Sequence, residues 1–305
     1  METRSALGAL DRGGPAPALW AALACAVGIV ITGVVALLVP AAHRGDAGTL
    51  RGFVALNRPR LTPLADLLAH SVDPAPYALA GLALVAVALL RRRPRMAIVI
   101  AAALVATVVT CEVLKPLLSN VRQAQWFGDS SLGGASWPSG HAAGAMCVAL
   151  CTVLVSPRWL RALTAAAGTA LAVGVSFSIL VLAWHFPSDV LGGFLVAALW
   201  VALGIAYLRA RESAPRAARA ALPARSTRAP TPTPTPPPAP APAVSLAAPV
   251  MLAAIAAGGV ALAVVLRPEA VATFAAAHKP FLVGASAIAA LAWTLASGLA
   301  LALRR

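Results

Sequence analysis

The chain has 305 residues, of which 60% are hydrophobic and only 11% are charged, and its formal net charge is +14. A soluble domain needs more polar surface than this composition supplies, so we predict an all-α, polytopic membrane protein. The positive charge does not indicate nucleic-acid binding, because the arginines form short clusters between apolar runs and leave no soluble basic domain. Basic loops on the cytoplasmic side of a membrane explain the charge better.

Eight apolar runs follow one another along the chain, and we interpret each as a membrane span. They cover approximately residues 18–39, 75–90, 96–118, 139–156, 162–184, 190–208, 246–266 and 281–303. The first run is longer than the hydrophobic region of a cleavable signal peptide, so it is also predicted to span. Segment 43–73 is too polar to span but has apolar residues at roughly helical spacing. It therefore predicts one or two amphipathic helices at the interface.

The runs predict three parts of the chain: a membrane core over 1–211, a linker over 212–245 and a pair of membrane helices over 246–305. The linker is first basic and then alternates Pro with Thr or Ala, which is typical of an extended segment without a core. In the final pair, Gly258, Gly259 and Gly298 would allow close packing against the core or a partner.

The basic residues also predict orientation. With a cytoplasmic N-terminus, alternating spans place most of the lysines and arginines inside, together with both chain termini. The loops that contain Trp137 and His185 then both face outward. We expect Trp126, Trp137 and Trp184 to form an aromatic belt at that interface. All four cysteines lie within apolar runs without a His or carboxylate spaced for a metal site, so we interpret them as small buried apolar residues.

Polar residues are expected to come together on the outer face. They form three clusters: Lys115 with Arg122, Ser139 with Gly140 and His141, and His185 with Asp189. Ionisable groups near membrane depth are costly and usually functional. Cations neutralise phosphate oxygens, and the N–H groups of Ser139 and Gly140 at a helix start can hold them. One histidine can attack phosphorus while the other protonates the leaving oxygen. The pattern therefore indicates phosphoryl transfer.

Each of these residues also has an ordinary structural interpretation. The stretch around the serine could be a loop-to-helix junction with a capping hydroxyl. Lys115 and Arg122 could be anchors whose long side chains reach the membrane surface. His185 could be an interfacial histidine, and Asp189 could cap the sixth span or both cap it and orient His185. Glu112 precedes Lys115 by three positions and can pair with it, which we favour over a helix-packing role.

The motifs taken together resemble those of a known family. The order Lys115-x6-Arg122, Pro138-Ser139-Gly140-His141 and His185-x3-Asp189 resembles the type 2 phosphatidic acid phosphatase (PAP2) superfamily of membrane lipid phosphatases. The resemblance covers roughly residues 16–211 and implies a six-span core, followed here by two further spans.

The resemblance also implies roles for these residues. His185 would be the nucleophile that forms a phosphohistidine, His141 the general acid, and Asp189 the residue that orients His185. The phosphate would be bound by Lys115, Arg122, Ser139 and Gly140. The family requires no metal, and we expect no cofactor.

Two positions depart from the family pattern. Gln123 follows Arg122 where the family has proline, and Ile179 stands six residues before His185 where the family has arginine. Losing one charged partner of phosphate can cost roughly 1.5–3 kcal/mol. Other cations could replace it from the outer loop: Arg44, Arg51, Arg58 or Arg60.

We therefore expect hydrolysis of a phosphate or diphosphate monoester on a lipid, such as a prenyl diphosphate or phosphatidic acid, at the outer face of a plasma membrane. The expected partners are this substrate and membrane lipids, not nucleic acid. Two alternatives stay open. One is a weak or inactive protein that binds lipid phosphate without turnover, and the other is a transporter or scaffold that acts through its C-terminal helices.

Overall fold

A computed structural model describes residues 14–118, 135–220 and 265–303 of the chain, with only the backbone described for 214–220. Within these ranges the protein forms ten helices and no strand, which confirms the predicted all-α class. In chain order the helices are α1 Ala16–Leu38, α2 Pro40–Val54, α3 Thr62–His70, α4 Pro74–Leu90, α5 Pro94–Leu117, α6 Gly140–Val155, α7 Arg161–Val181, α8 Pro187–Ala220, α9 Pro268–Ala277 and α10 Lys279–Ala302.

Five of these helices are long and apolar enough to cross a membrane: α1, α5, α7, α8 as far as Ser213, and α10. A sixth span can be formed by α3 and α4 together, which are bent by 54° at the break between them. Helix α6 is apolar but has only 16 residues. The prediction of a polytopic helical bundle is thus confirmed. The predicted seventh span and the Pro-rich linker lie almost entirely outside the described residues, so the division into three parts stays a prediction.

Prolines mark where many of the helices begin. Pro40, Pro74, Pro94, Pro187 and Pro268 are each the first residue of a helix. Proline suits this position because its fixed φ is helical and its missing N–H would have no acceptor within the helix. The connections that precede these helices are short, so the polar residues that they carry are held close to the ends of the bundle.

The amphipathic segment forms two helices, α2 and α3, as predicted; their placement at an interface stays a prediction. Helix α2 buries one face, where the Phe53 ring packs edge-on against Phe177 at 5.0 Å and Phe281 at 4.7 Å between centroids. Its opposite face carries arginines. All four arginines of this segment are exposed: Arg44, Arg51, Arg58 and Arg60.

The last helix, α10, packs against α2, α6, α7 and α8. Its buried stripe repeats every fourth residue, through Ile288, Ala292, Ala296 and Ala300. At Gly298 the described residues make no close helix contact, because an added Cβ there would meet none of their atoms within 4 Å, and packing against a partner stays a prediction.

The close contact of α10 occurs instead near its start. A Cβ added to Gly284 would lie 2.3 Å from Thr49 Cγ2 of α2, and the Thr49 hydroxyl donates to the Pro280 carbonyl at 3.0 Å. Gly258 and Gly259 lie outside the described residues.

Arginines satisfy helix C-termini at one end of the bundle. Arg91 donates to the Val155 carbonyl at the end of α6, and Arg161 donates to the Leu303 carbonyl after α10. Arg209 donates to Ala302 at 3.2 Å. The last carbonyls of a helix lack intrahelical donors and carry partial negative charge, so guanidinium groups stabilise them.

Side-chain burial confirms one sequence prediction and corrects another. All four cysteines are buried and free, as predicted. The prediction that Trp137 belongs to an aromatic belt is wrong, because Trp137 is only 2% exposed and packs between Gly33 of α1 and Gly192 of α8. Trp184 is half-buried, and Trp126 lies outside the described residues.

Candidate active site

The predicted polar clusters meet at the end of the bundle opposite the arginine-capped termini. The rings of His141 and His185 are 6.4 Å apart between centroids. A Cβ added to Gly140 would lie 3.6 Å from Lys115 Nζ and 3.5 Å from Glu112 Oε1. The end of α5, the start of α6 and the turn between α7 and α8 therefore form one site.

Helix α6 begins at this site with Ser139 as its N-cap. The Ser139 hydroxyl oxygen accepts from the Ala142 N–H at 3.3 Å, which is the usual capping contact. The Ser139 N–H donates to the Asp189 carbonyl at 2.9 Å. The expected phosphate contact through the Ser139 N–H is thus wrong, because this N–H is already bound within the protein. The N–H groups of Gly140 and His141 follow it, and the first N–H groups of a helix have no intrahelical acceptor.

Two glycines allow α8 to lie against the start of α6. A Cβ added to Gly193 would lie 2.5 Å from the Ser139 carbonyl oxygen and 3.0 Å from the Ala143 nitrogen. A Cβ on Gly192 would lie 2.8 Å from Trp137 Nε1. Side chains at these positions would separate the two helices, so glycine at both positions allows α8 to approach the start of α6.

The C-terminus of α7 places His185. The Trp184 N–H donates to the Ile179 carbonyl at 2.9 Å, and the Ala183 N–H donates to Leu180 at 3.1 Å. This pair of bonds is a Schellman motif, which needs a left-handed residue after the helix. Ala183 supplies it with φ 55°. The chain reverses direction there, and His185 lies two positions before the first residue of α8.

His185 is held by Asp189. His185 Nδ1 and Asp189 Oδ2 lie 3.3 Å apart, and the Asp189 side chain is completely buried. The same carboxylate oxygen accepts from the Phe186 N–H at 2.9 Å. Asp189 is the third residue of α8, so it caps the helix from inside the first turn and orients the histidine as well. The arrangement leaves His185 Nε2 as the nitrogen that can react.

His141 has a carboxylate partner that the motifs did not predict. His141 Nε2 lies 3.2 Å from Asp73 Oδ1. The side chains are 29% and 37% exposed, so the pair lies at the edge of the site. A signal was present in the sequence, because Asp73 stands at the start of the second predicted span, on the side of the membrane that is also predicted for the other clusters. The Trp184 ring also contacts His141, at 5.6 Å between centroids.

Lys115 and Glu112 form the predicted pair, with 2.6 Å between Nζ and Oε1. Arg122 lies outside the described residues. Ile179 is completely buried in the core.

Residues 95–213 match the model of the PAP2 superfamily. The match confirms, over this range, the resemblance inferred from the motifs. The PAP2 region contains Lys115, His141, His185 and Asp189, and it supports a phosphatase-type function on lipid phosphates at the level of the family. No curated protein and no solved structure matches the chain.

A groove of about 620 Å³ leads away from the site between α4 of the preceding segment and α5 and α6 of the PAP2 region. Its polar end contains Asp73, Glu112, Lys115 and His141. The rest is almost entirely apolar, and its walls include Ala78, Gly81, Leu82, Val85, Ala101, Leu104, Val105, Val108 and Val109. From Ala101 to Lys115 the groove follows α5 for about 21 Å, at 1.5 Å per residue.

Proposed function

We propose that this chain is an integral-membrane lipid phosphatase that hydrolyses a phosphate or diphosphate monoester through a phosphohistidine intermediate. One observation carries the proposal. His141 lies at the polar end of a long apolar groove, the His185 ring lies beside it at 6.4 Å between centroids, and each histidine is bound to a carboxylate. The histidines suit phosphoryl transfer, and the groove suits the hydrocarbon chain of an amphiphile.

The first step forms the phosphohistidine. His185 Nε2 attacks phosphorus, a P–N bond forms, and the P–O bond to the lipid breaks. The bonding electrons move to the leaving oxygen, which takes a proton from His141. Asp189 remains ionised and stabilises the positive charge that develops on the His185 ring.

The second step releases phosphate. A water molecule attacks phosphorus, the P–N bond breaks, and its electrons return to His185. His141, now neutral, takes a proton from the water and regains its starting form. The sum of both steps is ester plus water giving alcohol plus phosphate, or a phosphate monoester plus phosphate when the substrate is a diphosphate.

Phosphate binding is assigned to Lys115, to Arg122 and to the N–H groups of Gly140 and His141. The start of a helix favours anions because its free N–H groups and dipole point toward them. Glu112 holds the Lys115 ammonium group beside this helix start. Ser139 then acts by capping α6 and by joining it to α8.

A lipid substrate follows from the dimensions of the groove. Half of the hydrocarbon core of a bilayer is about 15 Å thick. The groove is at least that long, so it can accept the chain of a lipid whose phosphate stays at the interface. A prenyl diphosphate and phosphatidic acid both have this form. The basic arginine-capped end predicts that the site faces the outside of a plasma membrane.

The test uses the purified full chain in detergent micelles, with octyl and hexadecyl phosphate as substrates that both enter micelles. We expect phosphate release from wild type, and a loss of at least ~10³-fold in His185→Ala, since no phosphohistidine can form. His278→Ala is the control, because that histidine contacts Phe274 and does not line the groove. It should retain wild-type activity.

The groove predicts a kcat/KM at least ~10-fold higher for hexadecyl than for octyl phosphate, which is less than the burial of two methylene groups can contribute. Equal release by wild type and His185→Ala would exclude the enzyme. Equal kcat/KM values for the two esters would exclude the groove as the chain site.

The second candidate is a protein that binds lipid phosphate with little or no turnover. The observation that favours it is Ile179, which is buried where the family has a phosphate-binding arginine. It predicts binding of hexadecyl phosphate by wild type without His185-dependent phosphate release.

A further inference from the structure

We infer that Asp73 is a positioning residue that orients His141 and favours its protonated form for proton donation. The inference rests on the proposed function, in which His141 is the acid. Asp73 lies outside the range that matches the PAP2 superfamily, on the segment that joins α3 to α4.

The two histidines have similar surroundings. His185 has Asp189 at 3.3 Å from one ring nitrogen, and His141 has Asp73 at 3.2 Å from one ring nitrogen. The nitrogens differ, since Asp189 contacts Nδ1 and Asp73 contacts Nε2. Each ring is thereby fixed by a carboxylate and keeps its second nitrogen for the reaction. For His185 this nitrogen is Nε2, and for His141 it is Nδ1.

Asp73 is free for this contact because it does not cap α4. An aspartate directly before a helix normally accepts from the N–H groups of the second and third helical residues. Here the third residue is Pro76, which has no N–H, so only the Ala75 N–H is left for such a cap. The Asp73 side chain makes no capping bond, and its carboxylate contacts His141 instead.

Among the described residues, the other ionisable groups around His141 have partners of their own. Glu112 is paired with Lys115 at 2.6 Å, and His185 is held by Asp189. Asp73 is therefore the carboxylate that acts on His141. Partial burial disfavours a charged imidazole and is the larger effect at His141, and the Asp73 carboxylate opposes part of it by stabilising the imidazolium.

The role has a defined place in the first step. While the P–N bond to His185 forms and the ester P–O bond breaks, the His141 Nδ1 proton moves to the leaving oxygen. Asp73 keeps its charge throughout and transfers no proton. Without Asp73, the ring would be less often protonated and free to rotate. The chemistry that suffers is proton donation and not attack on phosphorus.

Esters with different leaving groups can distinguish a defect in proton donation from a defect in attack on phosphorus. An alkoxide needs a proton to depart, whereas 4-nitrophenolate departs without one. The experiment compares octyl phosphate with 4-nitrophenyl phosphate in wild type, Asp73→Asn, Asp73→Glu and Asp66→Asn. Phosphate release is measured for the first ester, and the initial burst of nitrophenolate is measured for the second. Asp66→Asn is the matched control, because Asp66 is exposed and does not line the groove.

For Asp73→Asn we expect release from octyl phosphate to fall on the order of 10- to 100-fold, within the 10²- to 10⁴-fold that a general acid supplies. The nitrophenolate burst should change less than ~3-fold, because its leaving group needs no acid. Asp73→Glu keeps the charge and should recover a large part of the octyl phosphate activity. Asp66→Asn should match wild type on both esters.

An equal loss on both esters would show that Asp73 supports only the fold of the site, and no loss on either would show that it is not used. Either result would overturn the inference and leave the phosphatase intact. If wild type itself shows no His185-dependent release from either ester, the proposed function fails and this inference fails with it.

Discussion

Ala183 occupies a left-handed backbone conformation that residues other than glycine seldom adopt. Its φ is 55°, and it closes the Schellman motif that turns the chain from α7 toward His185. A left-handed conformation costs a residue with a Cβ roughly 1–2 kcal/mol. The protein tolerates this conformational energy two residues before His185, the proposed nucleophile, where the turn sets the direction of the histidine.

Ala183→Gly should therefore stabilise the protein by about 1 kcal/mol, because glycine adopts the left-handed conformation freely. The measurement is the thermal midpoint in detergent, which should rise. Ala170→Gly is the control, an exposed position inside α7 where the same change should cost about 1 kcal/mol. Midpoints that fall in both variants would contradict the strain at residue 183.

Some residue contacts could be predicted from the sequence, and others could not. The pairs Glu112–Lys115 and His185–Asp189 are separated by three and four positions, so the local geometry of the chain brings them together. Asp73 and His141 are 68 positions apart, and their contact depends on how α4 packs against α6. The Ser139 N–H was misassigned for the same reason, since its acceptor comes from α8.

At the scale of helices, α6 and α8 are joined at their starts. The Ser139 N–H donates to the Asp189 carbonyl, and Gly193 lets the helices touch at that point. The backbones of His141 on α6 and of His185 before α8, the proposed acid and nucleophile, are thereby fixed relative to each other. The spacing of the two helix starts is thus set by backbone contacts.

Gly193→Ala should lower both activity and stability. Its Cβ would lie 2.5 Å from a backbone oxygen, which cannot move aside as a flexible side chain can. We expect a destabilisation of about 1–3 kcal/mol, typical of overpacking, and a phosphatase rate reduced at least ~10-fold by displacement of His141 from His185. Thermal midpoints and phosphate release from octyl phosphate measure the two effects.

The control for this variant is Gly298→Ala on α10, where an added Cβ would meet nothing within 4 Å. It should leave rate and midpoint close to wild type. Full activity in Gly193→Ala would mean that α8 does not need to contact the start of α6.

Helix boundaries were predictable because proline and polar residues mark them, but the packed faces were not. Gly298 and Gly284 lie on the same helix, and the sequence does not show which one meets a neighbour. The contact of Gly284 with Thr49 exists because α2 folds back across α10. The choice of face depends on the partner helix, which periodicity within one helix does not identify.

At the scale of the whole molecule, the bundle has two chemically different ends. One end has arginines bound to helix carbonyls, including Arg91, Arg161 and Arg209. The other end has the histidines and carboxylates. Because basic residues are retained on the cytoplasmic side of membranes, this division predicts that the end with the histidines faces outward.

A labelling experiment in intact cells tests this orientation. Asn57→Cys lies between α2 and α3, and Trp159→Cys lies in the turn between α6 and α7; both positions are exposed. We expect a membrane-impermeant maleimide to label Asn57→Cys only, and to label both after the cells are permeabilised. The four native cysteines are buried, so background labelling should be small. Labelling of Trp159→Cys alone in intact cells would reverse the orientation.

The break between α3 and α4 connects the residue that contacts His141 with a wall of the groove. Asp73 lies at this break, where the helices bend by 54°, and α4 beyond it forms a wall of the groove. In the proposed mechanism, a hydrocarbon chain that settles against α4 contacts the helix that Asp73, the partner of His141, directly precedes. Binding energy from the remote hydrocarbon chain can then align His141, the proposed proton donor. A lipid that fits the groove would therefore react faster as well as bind more tightly.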